Sequence, residues 1–143
     1  MAAESDAPLS SFAEKLDHLF RTVHPAGRRE HTYEEVAAGV AAQATGTTIS
    51  AQYIWMLRHG KKDNPTKRHI EALAAFFGVP PAYFFDDGLT ERVNAELELL
   101  TAMRDASVRS LALRSAELSP ESRAALARMI EATRDLERGG KGE

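Results

Sequence analysis

Between Ser50 and Lys67 the chain gathers side chains suited to holding a polyanion. Gln52 has an amide that can bond adenine bidentately, a contact worth about 1–3 kcal/mol of discrimination. Ala51 offers a methyl that fits a thymine methyl. Arg58, Lys61, Lys62 and Lys67 are cations of the kind that hold phosphate, each adding roughly one to the salt slope of binding. A charge run or a surface glutamine also has a plain reading as solvated surface. Tyr53 either bonds phosphate through its hydroxyl or wedges against the preceding helix. Trp55 either lies against a duplex or covers the Thr45–Thr48 loop. Asn64 serves as a helix cap, a DNA ligand or both. Thr32, at the start of an earlier helix, can meet a backbone oxygen. Ser50 and Met56 complete the expected contacts.

A short helix must hold these groups. Ser50 is a side-chain acceptor placed to cap free backbone N–H groups. Ile54 and Leu57, three apart, form its buried edge, while Ala51, Gln52, Trp55 and Met56 fall mostly on the other side. Gly60 ends the helix, because it takes a left-handed backbone cheaply. An outward amide followed by two lysines is what a major-groove reading helix requires.

Other chemistry finds no support. The five histidines (His18, His24, His31, His59 and His69) form no i,i+4 pair and no His-Glu-x-x-His set, so they read as surface or packing residues. No glycine loop cradles a phosphate, and no catalytic constellation stands out. The sequence predicts no enzyme, no metal, no cofactor and no small-molecule ligand.

The remaining elements follow in order. Residues 1–10 are expected to be disordered. Ser11-Phe12-Ala13-Glu14 has capping-box spacing and opens a first helix, with Phe12, Leu16, Leu19, Phe20 and Val23 on one face. Thr32-Tyr33-Glu34-Glu35 repeats that spacing, and Val36, Ala37, Val40, Ala41 and Ala44 extend a second helix whose alanine face admits a close neighbour. A fourth helix opens at Asn64-Pro65, as N-cap and N1, and runs to Gly78. The aromatics of Tyr83-Phe84-Phe85 close the core, and Asp86-Asp87-Gly88 ends the domain. Beyond lie a helix from about Leu89 to Leu118, broken near Asp105 to Ser107, and another opened by Ser119-Pro120. Residues 138–143 form a disordered tail. The fold class is all-α, with a domain at 11–88 and a helical segment at 89–137. A domain already closed leaves the apolar stripe Val93, Leu97, Leu100, Met103, Leu126, Met129, Ile130 and Leu136 in need of a partner. A second copy of the chain is the simplest one.

Composition sets the frame. The 143 residues suffice for one domain with an appendage, and the absence of cysteine excludes disulfides and thiolate metal sites. No apolar run approaches the ~20 residues of a membrane span, and Met1 to Pro8 lacks the pattern of a signal peptide. An intracellular, soluble protein is expected. The net charge is −3, but the charges are segregated. From Ala51 to Ile70 five cations (Arg58, Lys61, Lys62, Lys67, Arg68) face only Asp63, whereas from Phe85 to Leu100 five carboxylates face only Arg92. That division points to one face for DNA and one kept away from it.

The ordered set Val36-Ala37, Ile49-Ser50, Ile54, Leu57-Arg58-His59-Gly60, Asn64-Pro65, Ile70, Leu73-Ala74 and Phe77-Gly78-Val79 resembles the helix-turn-helix domain of the phage-repressor-like (XRE) family, over roughly residues 11–87. Leu19-Phe20, Ser50-Ala51, Ala72-Leu73-Ala74, Phe76-Phe77, Ala82-Tyr83-Phe84, Met103-Arg104-Asp105 and Val108-Arg109 resemble the EspR-type nucleoid-associated transcriptional regulators of actinobacteria, along nearly the whole chain. The resemblance implies a five-helix DNA-binding domain followed by dimerisation helices, in a homodimer, possible in higher-order assemblies, that binds double-stranded DNA and bridges or bends it. One departure stands out: Val40 and Ile49 are about seven residues further apart than in common repressor domains, so the second helix should be longer. Ala51-Gln52 stands where repressors carry a glutamine pair, so base readout should be thin. A dimeric DNA-binding transcriptional regulator of the cytoplasmic nucleoid is the leading reading. The rival is a protein-interaction module, an antitoxin or adaptor gripping another protein through its C-terminal helices.

Overall fold

The computed structural model describes residues 11–25 and 27–141, and every regular element among them is helical. The expected disordered start and the last two residues of the expected tail lie outside that range. The helices are α1 (Phe12–Thr22), α2 (Tyr33–Ala42), α3 (Ala51–Arg58), α4 (Lys67–Phe77), a 3-10 turn (Pro81–Phe84), α5 (Asp87–Ala102), α6 (Ala106–Ser115) and α7 (Pro120–Lys141). They divide into two compact units, one up to Thr101 and one from Ala102.

Side-chain caps place the first four helices. Ser11 accepts from the Glu14 N–H, Thr32 from Glu35 and Ser50 from Tyr53, each at 3.1 Å. At α4 the cap is Thr66, which accepts from His69 at 3.2 Å. Asn64-Pro65 therefore precedes the helix instead of opening it. The hydroxyl two residues on has the extended backbone that a cap needs. Glu35 does not turn back to its own helix start. Its carboxylate takes the His31 ring N–H at 3.1 Å, and this bond holds its pKa below the usual carboxylate value.

Leu16, Leu19 and Phe20 of α1, Val36 and Val40 of α2, Ile54 and Leu57 of α3, and Ile70, Leu73 and Phe77 of α4 meet in one core, joined by Tyr83 and Phe84. Phe85, expected to close this core, is 65% exposed. The second helix ends at Ala42, with Ala44 left-handed at φ 59°, so the extra residues before Ile49 form a loop and not a longer helix. Ala37 of α2 packs against the core, and a very close approach on this helix falls at Gly39. A Cβ there would lie 2.3 Å from the Phe76 ring, which packs in turn on His31 and Phe77.

The first unit extends past residue 88, because α5 is fastened to it. Lys15, 1% exposed, donates to the Phe84 carbonyl at 3.3 Å and to Asp87 at 2.8 Å. The Thr90 hydroxyl donates to the Tyr83 carbonyl, and the Tyr83 phenol donates to Asn94 at 2.8 Å. Burial pushes that phenol up to about 12, against the pull of the Asn94 bond. Val93 and Leu97 pack on the core. Both are half-buried there, so part of the surface expected for the dimer stripe is spent within the unit.

In the second unit the expected break falls between α5 and α6. Asp105 caps α6, accepting from the Ser107 and Val108 N–H groups at 2.8 and 3.3 Å. Arg109 donates to the carbonyls of Met103 and Arg104 left open by the break. Ser119 caps α7 through the Ser122 N–H at 3.1 Å. The helix then continues through Gly139 and Gly140 to Lys141, so the expected tail is helical that far.

Gly39→Ala tests the α2–α4 contact. A helical glycine-to-alanine change normally stabilises by about 1 kcal/mol, whereas overpacking costs about 1–3 kcal/mol. A lower melting temperature is expected for Gly39→Ala alone, and a higher one for the same change in a Phe76→Ala background. A rise for the single variant would contradict the contact.

Candidate nucleic-acid interface

α3 lies against α1 and α2 through Ile54 and Leu57, both fully buried. Its angle is held at the far end by Arg58. The guanidinium donates to Asp17 of α1 at 2.8 Å and to Glu30, in the loop before α2, at 3.0 Å. It reaches the Tyr33 hydroxyl at 3.4 Å and lies 4.5 Å over the Phe20 ring. Burial lowers the pKa of Arg58, but its bonds to Asp17 and Glu30 outweigh that and raise it above the ordinary value. Arg58 is therefore engaged inside the domain and does not stand free for phosphate.

The opposite side of α3 is open. Gln52 is exposed, Trp55 is 40% exposed, and Ala51 and Met56 are half-buried. Trp55 stacks on His59 at 4.4 Å. Tyr53 is half-buried and meets His69 of α4 edge-on at 5.3 Å, a third arrangement beside the two expected. The hydroxyls of Ser50 and Thr32 both serve as caps. Gln43, outside the expected set, donates to the Ala72 carbonyl at 2.9 Å and so ties the end of α2 to α4.

At Gly60 (φ +72°) the chain turns left-handed, and the N–H groups of Lys61 and Gly60 bond the Met56 and Leu57 carbonyls at 2.8 and 3.4 Å. That double bond pattern is a Schellman cap, which only a residue tolerant of positive φ closes without strain. It fixes the start of Lys61-Lys62-Asp63-Asn64. All four are exposed, and neither lysine has an ion-pair partner among the described residues. Lys67, 90% exposed, stands 3.8 Å from Glu71, a loose surface pair of little energy. The structure thus leaves Gln52 and Trp55 on the exposed side of α3, lets the lysine turn follow its C-terminal end, and turns Arg58 inward. Sequence reasoning passed over His59, although its seven-residue spacing from Gln52 puts both on one helical face.

No family model matches the chain. Over 106 residues, 74% of this chain and 79% of the relative, it is 45% identical to the nucleoid-associated protein EspR of Mycobacterium tuberculosis, in both strain CDC 1551 / Oshkosh and strain H37Rv. The chain belongs to the EspR family. Likeness of that extent within the EspR family covers more residues than the first compact unit holds, so it is not confined to a short motif. No helix among the described residues is long and apolar enough to cross a membrane.

Arg58→Ala separates an internal tie from a surface cation. Asp17 and Glu30 are partly exposed, so the loss should fall below that of a fully buried pair, at about 1–3 kcal/mol by chemical denaturation. Lys61→Ala should stay within about 0.5 kcal/mol of the parent. Equal effects would contradict the assignment.

Proposed function

We propose that this member of the EspR family is a non-catalytic, double-stranded-DNA-binding transcriptional regulator of the cytoplasmic nucleoid, acting as a dimer. α2 and α3 serve as a phage-repressor-like helix-turn-helix. α3 enters the major groove with Ala51, Gln52, Trp55 and Met56 towards the bases, and Lys61, Lys62 and Lys67 take phosphates. The observation that carries this reading is the exposed lysine turn, without an ion-pair partner among the described residues, whose start is bonded back to the last turn of the amide-bearing α3. A cation without an internal partner keeps its full attraction for phosphate. One face of groove-reading residues beside it supplies what positions and what specifies. The name of the relative, nucleoid-associated, accords with this. Arg58 is withdrawn from the phosphate set, because its donors are spent on Asp17 and Glu30.

The dimer contact falls to the C-terminal helices. Leu100, Met129, Ile130 and Leu136 are exposed, as are Leu111 and Leu113 of α6, and Met103 and Leu126 are half-buried. Apolar side chains in that number on helical faces favour a partner, and a two-fold DNA site favours a second copy. The same exposure is what an adaptor gripping a foreign protein would display. A stoichiometric foreign partner copurifying on residues 102–141 would favour that second reading.

Reversing both lysines, Lys61→Glu with Lys62→Glu, is expected to abolish duplex binding while the size-exclusion mass stays that of the parent. Changing both to Ala should reduce the salt slope by roughly two. Undiminished binding by the charge-reversed protein would contradict the reading.

A further inference from the structure

The outward arc of α3 also carries the exposed His59. At 3.6 residues per turn, Gln52, Trp55, Met56 and His59 lie within one arc opposite the buried Ile54 and Leu57. Arg58 lies outside that arc, turned to Asp17 and Glu30, so the ionisable group facing outward at the end of α3 is His59. It is exposed, and its ring stacks on Trp55 with an interplanar angle of 25°. Its Nδ1 stands 2.9 Å from the Trp55 carbonyl oxygen. A carbonyl oxygen only accepts, so the ring proton of the neutral form sits on Nδ1. Nε2 then presents a bare lone pair, with which a phosphate oxygen can make no hydrogen bond. Protonation gives Nε2 an N–H and the ring a positive charge, and a phosphate oxygen can use both.

Lys61 and Lys62 follow Gly60 on the same segment. On α1, Ala13 would lie 3.9 Å from a Cβ placed on Gly60, and Asp17 is held by Arg58 and Arg21. No carboxylate pairs with His59 among the described residues, so an anion there would have to come from outside.

We propose that His59 is a DNA contact that takes a phosphate in its protonated form, so that duplex affinity is linked to pH across the range in which histidine titrates. This rests on α3 being the duplex-facing helix. A phosphate beside the imidazole favours the charged ring. Binding therefore takes up a proton, and affinity rises as pH falls.

The test measures affinity for one fixed duplex at constant ionic strength. The parent should bind roughly ten-fold more tightly at about pH 6 than at about pH 8. His59→Gln should lose most of that dependence and stay near the parent's affinity at the higher pH. His59→Lys, a permanent cation, should bind tightly at both. The single tryptophan gives an independent readout, since a protonated imidazole stacked on indole quenches its fluorescence. The midpoint of that quench should move to higher pH when duplex is added. A parent profile that is flat or reversed, an unaltered profile in His59→Gln, or a midpoint that duplex leaves unmoved overturns the proposal. Full duplex binding by the Lys61→Glu, Lys62→Glu protein would instead overturn the underlying reading of α3.

Discussion

The ion pairs of Arg58 with Asp17 and Glu30 bind α3 to α1 and to the loop before α2, and the rest of the site depends on them. Each pair alone is a partly exposed contact of modest energy. Together with the Phe20 ring beneath and the Tyr33 hydroxyl beside it, they fix the last turn of α3. Ile54 and Leu57 fix its buried side. A helix of eight residues so constrained can present its other face in one orientation. The Gly60 cap then carries that constraint into the lysine turn through backbone bonds to Met56 and Leu57.

A short helix is thus used twice, with opposite signs of burial on its two sides. Arg58 faces inward, where its donors meet carboxylates and an aromatic face. Gln52, Trp55 and His59 face outward, followed by Lys61 and Lys62. Charge of one kind does structural work on one side of the helix and remains available on the other. The acidic α5 is set into the same unit by Lys15, Tyr83 and Thr90, and its carboxylates Glu91, Glu96 and Glu98 stay exposed.

Local chemistry was legible in the sequence where it acts over a few residues. Ser11, Thr32, Ser50 and Ser119 cap the helices expected of them, Gly60 ends α3, and the chain breaks at Asp105. Contacts between distant residues were not legible. The charge of Arg58 is plain, but its partner Asp17 lies 41 positions away, and nothing in the sequence chooses between a carboxylate and a phosphate. Val93 and Leu97 carry the right period for a subunit contact, yet the Tyr83–Asn94 and Lys15–Asp87 bonds place them on the core. Asn64-Pro65 competed with Thr66 as helix start, and the better-placed hydroxyl prevailed. Histidine spacing unsuited to a metal made His59 read as a plain surface residue, although its position on the α3 face was readable.

Amide chemical-shift mapping on the full chain during titration with a short duplex tests the central claim most directly. The largest changes should fall on Gln52, the Trp55 indole N–H, His59, Lys61 and Lys62, with the Arg58 side-chain Nε–H resonance little moved. Changes concentrated on residues 106–138, or an Arg58 resonance that shifts with the lysines, would contradict it.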